Sequence, residues 1–81
     1  MRRTKKGLEV AVKALAAELE TEIAIQSYQP DRVRRYAVGL VVESGGVEPL
    51  TGYLPVGEAY EAAWAMVHAV RAYKKLQEAG E

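Results

Sequence analysis

The chain must hold 81 residues together without a single cysteine. A chain of this length buries only about 60% of the surface that it exposes when unfolded, so its core has little stability to spare. Small domains usually compensate with disulfides, a structural metal or association with another chain. The absence of cysteine excludes disulfides and thiolate zinc sites, and a single histidine, His68, does not make a metal site. No cofactor is expected, which leaves unaided packing or self-association.

Two segments have the apolar spacing of amphipathic helices. The first covers residues 5–21, with Thr4 as its predicted N-cap, an end near residues 20–22 and a frayed basic N-terminus over residues 1–6. The second covers residues 58–78, with Gly80 as its stop. The predicted apolar stripe of the first helix is Leu8, Val12, Leu15, Leu19 and Ile23, and that of the second is Ala59, Ala62, Ala63, Met66, Ala69, Val70 and Tyr73.

Three segments between the helices predict strands. Residues 22–28 alternate in a way that favours a strand, although Ile23 also continues the helical stripe and leaves helix as the alternative. Residues 33–43 are the clearest strand, and the following Ser44-Gly45-Gly46 is typical of a hairpin turn. Residues 47–54 are predicted to form the third strand. Pro49 indicates that this strand is at an edge or contains a bulge, because proline has no N–H group to donate to a ladder.

The resulting order, α-β-β-β-α, predicts one small α+β domain over residues 1–81. Its design has two layers, with a three-stranded antiparallel sheet packed on two helices. Alternation along the second strand directs Tyr36 and Val38 toward the helices, whereas Ala37 and Gly39 point to the other face. That other row is small and apolar, so it is either lightly exposed or covered by a partner.

The stretches RRYAVGLVVE and GYLPVGEAYEAAWAMVHAV carry a resemblance to the double-stranded-RNA-binding domain. That family has the same order of elements and a glycine-bearing third strand that runs into an alanine-rich helix. Its members bind phosphates with a lysine-rich start of the last helix. Here that position holds Glu58, followed by Glu61, and carboxylates repel phosphate, so no RNA-binding residue is transferred from the resemblance.

The sequence offers little from which to build an active site. His68 falls on the polar side of the second predicted helix, and neither Ser27 nor Ser44 has a histidine nearby in sequence. We therefore expect a protein that is not an enzyme. No apolar run approaches the roughly 20 residues of a membrane span. The segment after MRRTKKG is amphipathic, unlike a signal peptide, which predicts a cytoplasmic, intracellular protein without a membrane partner.

The second predicted helix is apolar around most of its circumference, which indicates burial on most sides. Tyr60, Trp64 and Val67 widen its stripe, and Ala65 and Ala72 extend it to the outside. We expect a small interaction module, such as an adaptor, inhibitor or regulator, that forms a homodimer through this helix and the sheet. An accessory protein of a virus or mobile element has these features. The alternative is that Tyr60 and Trp64 only complete the core of the monomer.

Clusters of basic residues support a second hypothesis, a nucleic-acid-binding module, because lysine and arginine bind phosphates and release counterions. It requires that the clusters converge on one surface of a chain whose formal net charge is zero. The alternative is that they are separate solvated ends, paired with nearby acids. The candidate residues are Arg32, Arg34, Arg35, Arg71, Lys74 and Lys75, with a further cluster at Arg2, Arg3, Lys5 and Lys6.

Overall fold

Two helices cover one face of an antiparallel sheet in the computed structural model, which describes residues 4–80. The predicted two-layer α+β fold is confirmed, and so is the strand over residues 22–28. The elements are α1 (Lys5–Leu19), β1 (Ile23–Tyr28), β2 (Arg35–Val41), β3 (Val47–Pro49), β4 (Leu54–Pro55) and α2 (Val56–Ala79).

The central strand of the sheet is β2, which pairs with each of the other strands. Along β1, Ile23 lies opposite Leu40 and Tyr28 lies opposite Arg35. β3 pairs with the end of β2 through the 42–46 turn, where Gly45 has a φ of 89° that favours glycine. β4 pairs with the start of β2, with Pro55 opposite Arg35. β1 and the β3–β4 side are therefore the two edges.

The predicted return strand, residues 47–54, is broken into β3 and β4, so the sheet has four strands rather than three. At the break, the backbone N–H groups of Leu50 and Thr51 both donate to the Val38 carbonyl, at 2.9 and 3.2 Å. The Val38 N–H donates to Thr51 Oγ1 at 3.0 Å, in place of a ladder bond. Two residues thus oppose one, which is the arrangement of a bulge. Pro49 lies just before this break, on the edge where it was predicted.

The ends of α1 follow local capping rules. Thr4 Oγ1 accepts a hydrogen bond from Gly7 N at 3.3 Å, which confirms the predicted N-cap. Of the N-terminus predicted to be frayed, residues 5 and 6 form the first turn of α1, and residues 1–3 lie outside the described part. The helix ends when Glu20 takes the left-handed conformation with a φ of 54°.

The core forms where α1 and α2 lie side by side on the sheet. Its centre consists of bulky residues of α1 and β2 against small residues of α2, which lets the helix axes approach closely. α1 presents a row of small residues, Gly7, Ala11 and Ala14, on the side that faces α2. The buried core residues are Leu8, Ala11, Val12, Leu15, Tyr36, Val38, Ala59, Ala63 and Val67.

The two helices run parallel, and α2 is the longer. α2 starts beside Arg35 and Tyr28, at what we call the Tyr28 end of the sheet. Fifteen residues later, at the Ile23 end, Arg71 contacts Glu18 near the end of α1. Residues 71–80 are all exposed, so α2 continues past the body. The Cα radius of gyration is 13.6 Å, whereas about 12 Å is expected for a compact chain of this length.

The bulge generates a prediction about stability. Thr51→Val removes the hydroxyl group that accepts from the Val38 N–H and leaves this partly buried donor without its partner. We expect a loss of about 1–3 kcal/mol in the free energy of unfolding. Chemical denaturation would measure it. Thr51→Ser, which retains the hydroxyl, is the matched control and should lose much less; an equal loss in both variants would mean that the methyl group, not the hydrogen bond, holds the bulge.

Candidate interaction surfaces

The three predicted interaction residues of α2 differ in their surroundings. Val67 is fully buried in the core of the subunit. Tyr60 and Trp64 are half-buried, and Trp64 packs against the core cluster. The ring of Trp64 lies edge-on to Tyr60 at 6.4 Å and stacks at a tilt on His68 at 6.0 Å. Tyr60, Trp64 and His68 therefore form a continuous row along one flank of α2.

That flank is the side of α2 on which α1 lies. Helical spacing places Arg71 one turn beyond Val67 and on the same side as Tyr60 and Trp64, and Arg71 reaches across to Glu18 of α1. The Trp64 indole N–H is buried and has no hydrogen-bond partner among the described residues. Trp64 thus contributes packing rather than polar contacts, and its ring helps to close the junction between the helices.

The exposed apolar surface of α2 lies on the face opposite its buried residues Ala59, Ala63 and Val67. Ala65, Ala69, Ala72 and Ala79 are exposed, and Ala62 is half-buried at the start of this row. Leu76, at 72% exposure, and the adjoining Tyr73, at 61%, are the most exposed large apolar side chains of the described chain. We call the following six residues the outer stripe: Ala62, Ala65, Ala69, Ala72, Leu76 and Ala79.

Sequence reasoning assigned part of this row to the core. Ala59 and Ala63 are buried as predicted, and Val67 joins them in the core. Ala69 and Tyr73, which were expected on the buried stripe, are exposed, so the buried face of α2 is rotated toward Val67. On a helix with alanine on every side, apolar periodicity does not identify the inward face. The signal that was available is the spacing of the outer stripe, whose steps alternate three, four, three, four, three from residue 62 to residue 79.

The basic clusters do not all converge. Arg32, Arg34 and Arg35 lie at the Tyr28 end, where α1 also begins with Lys5 and Lys6. The third cluster, Arg71, Lys74 and Lys75, lies at the opposite end of the sheet, beside the end of α1. Arg2 and Arg3 lie outside the described residues. The described part of the chain therefore has two separate basic regions.

The basic region at the Ile23 end is partly neutralised by Glu18. Arg71 Nε binds one carboxylate oxygen of Glu18 at 2.8 Å, and Lys74 Nζ lies 3.3 Å from the other. Lys74 also donates to the Glu18 backbone carbonyl, in the last turn of α1. The Arg71 hydrogen bond, helped by Lys74, lowers the pKa of Glu18 below its ordinary value, although partial desolvation opposes this shift. These contacts tie α2 to the end of α1 just before α2 leaves the body.

The sheet face away from the helices, which we call the far face, carries an aromatic pair at the Tyr28 end. The rings of Tyr28 and Tyr53 lie 5.4 Å apart at a tilt of 54°. They come from opposite sides of β2, so the pair bridges across that strand. Ala37 points to the same face and is only 3% exposed. Because Ala37 is small, it leaves room for the rings above β2.

Several other kinds of site find no support among residues 4–80. Within this range no helix is long and apolar enough to cross a membrane. The same residues contain no cluster of three or more metal-ligating side chains and enclose no pocket. The exposed His68 stacks on Trp64 and has no nucleophile beside it. What the described chain offers is surfaces, namely the outer stripe and the far face of the sheet.

Comparison with known proteins adds no assignment: neither a protein-family model, nor a curated protein, nor a solved structure matches this chain significantly.

The Glu18 contacts predict a measurable titration. Because the pKa of Glu18 is lowered in the folded chain, its contribution to stability is present above the unfolded value of 4.5 and is lost as the pH falls through the lower folded value. Arg71→Ala should raise the folded pKa toward 4.5, as followed by carboxyl resonances in NMR. Arg32→Ala, at the other end, is the control. A Glu18 pKa that does not respond to Arg71→Ala would contradict the assignment.

Proposed function

We propose that this protein is a small non-enzymatic interaction module that acts as a homodimer through the outer stripe of α2. The observation that carries the proposal is the exposure of this stripe over about 26 Å of helix, including a leucine that is 72% exposed. An apolar row of this length on a soluble helix is typical of an association surface. The opposite face of α2 is buried in the core of the subunit.

The spacing of the outer stripe suits pairing with a second helix. Alternating steps of three and four give the 3.5-residue period of a coiled-coil seam. Five of its six residues are alanine, and small side chains allow two helices to approach to the short end of the usual 8–10 Å range. Tyr73 and Met66, beside the stripe, would extend the contact. A second copy presents the same row, so a two-fold dimer is self-complementary.

The side-chain volumes favour an antiparallel pair. If the two-fold axis passes between Ala69 and Ala72, each Leu76 lies opposite Ala65 of the second copy, and a large side chain meets a small one. A parallel pair would place Leu76 against Leu76 and leave the alanine layers loosely filled.

In this arrangement, the residues expected as contacts have different roles. Val67 supports α2 from inside the core. Tyr60 and Trp64 lie on the flank that faces α1, where they fix α1 and so set the direction in which α2 leaves the body. Their exposed edges are available to a further partner. The dimer would join two bodies through a helix pair and leave both far faces of the sheets uncovered.

Substitution of the stripe provides the test. Wild-type protein at about 100 μM, a concentration suited to dimers of micromolar affinity, should have twice the subunit mass by light scattering coupled to size-exclusion chromatography. Ala69→Glu with Ala72→Glu places four carboxylates at the centre of the seam and should give a monomer. Ala17→Glu, an exposed alanine on the outside of α1, is the matched control and should remain a dimer.

Circular dichroism of the double variant checks that it is folded, since both substitutions lie at exposed helical positions. A wild-type protein that stays monomeric, or a folded double variant that stays dimeric, would contradict the proposal. In the second case, the unprotected edge of β1 is the remaining surface for an isologous pairing.

A further inference from the structure

We infer that the far face of the sheet binds single-stranded nucleic acid at its Tyr28 end, independently of the dimer seam. The site consists of the Tyr28–Tyr53 pair with the arginines around it. Nucleic-acid bases stack on aromatic rings regardless of sequence, and cationic side chains beside the rings bind the phosphates. The described surface combines these two features at this one end of the sheet.

The Tyr28 and Tyr53 rings are held in place by the sheet but remain open to solvent. Tyr28 is 54% exposed and Tyr53 is 45% exposed, although the rings contact each other. Each therefore keeps a surface on which a base can stack. β1 and the bulge region hold them from two sides of β2, with the small side chain of Ala37 between.

Cations border the aromatic pair. Arg35 lies directly opposite Tyr28 in the ladder and is half-buried on the same face. The 29–34 loop adds Arg32 and Arg34, both exposed. Arg34 donates to Gln29 Oε1 at 3.0 Å through Nη2 and at 3.3 Å through Nε, so the loop is held in a defined shape. Asp31 is the acid in this loop, and it accepts from the Val33 backbone N–H at 2.8 Å.

The charges beside the aromatic pair favour a polyanion. Lys5 and Lys6 at the start of α1 join the arginines at the Tyr28 end, although the formal net charge of the chain is zero. A local excess of positive charge beside the rings attracts a polyanion to this end. The opposite end is mixed, because its basic cluster lies among the acids of the α1–β1 junction and the 42–46 turn.

A single strand fits better than a duplex. Stacking on Tyr28 and Tyr53 requires unpaired bases, because duplex bases expose only their edges in the grooves. The far face also lacks a projecting helix or loop that would enter a groove. The start of α2, where Glu58 is exposed, is not part of this surface.

Fluorescence anisotropy with a labelled oligothymidylate and a labelled oligouridylate of about 12 nucleotides, a length within the range of small single-strand sites, tests the inference. Binding is expected at about 50 mM salt and should weaken steeply by about 200 mM. Tyr28→Ala and Tyr53→Ala should each weaken it about five- to 100-fold. Tyr28→Phe, which keeps the ring, should bind like the wild type. Val10→Ala, at an exposed side chain of α1 outside the far face and the outer stripe, is the control and should also have no effect.

No binding at the low salt concentration, or equal weakening by Val10→Ala, would overturn the inference. Equal affinity for a 12-base-pair duplex would also overturn it, because it would indicate a general attraction to polyanions. The dimer variant Ala69→Glu with Ala72→Glu should retain binding per chain to within a few-fold once avidity is removed, so failure of the homodimer and failure of this site are distinguishable.

Discussion

The fold depends on the parallel contact between α1 and α2 above the sheet. Small residues on both helices allow close packing, namely Gly7 and Ala11 on α1 and Ala59 and Ala63 on α2. The larger side chains of Leu8, Leu15 and Val38 fill the remaining space. Because α1 is 15 residues long and α2 is 24, the contact ends where Glu18 binds Arg71. Past that point only Lys74 still reaches back to Glu18, and residues 71–80 of α2 are all exposed. The length difference between the helices thus extends the outer stripe beyond the body.

Much of this architecture could be predicted from the sequence. Periodicity located both helices, and alternation together with Ser44-Gly45-Gly46 located β1, β2 and the turn. The break in the third strand could only be anticipated at Pro49, because the bonds that define it join Val38 and Thr51, residues that are distant in sequence. The inward face of α2 was predicted in part: Ala59 and Ala63 are buried as expected, whereas Ala69 and Tyr73 are exposed. The error arises because alanine occurs on both the inner and the outer side of this helix.

The same distinction applies to the candidate surfaces. The arginines of the 29–34 loop were identified from their clustering in the sequence. They do not lie beside Arg71 and Lys74, because the end of α2 is at the opposite end of the sheet. Tyr53 was not singled out from sequence because it lies in an irregular stretch between two short strands. Only the fold shows that it reaches across β2 to Tyr28. The neutral overall charge therefore conceals a local cluster of arginines beside the aromatic pair.

Disulfide trapping tests the central claim, antiparallel pairing along the outer stripe, most directly because the chain contains no cysteine. Ala69→Cys and Ala72→Cys are made as separate proteins and oxidised alone and as an equimolar mixture, with Ala17→Cys as the background. The antiparallel pair predicts that the mixed 69–72 disulfide forms faster than either self-linked dimer. Faster self-linking would indicate a parallel pair, and linking no faster than the Ala17→Cys background would contradict pairing through the outer stripe.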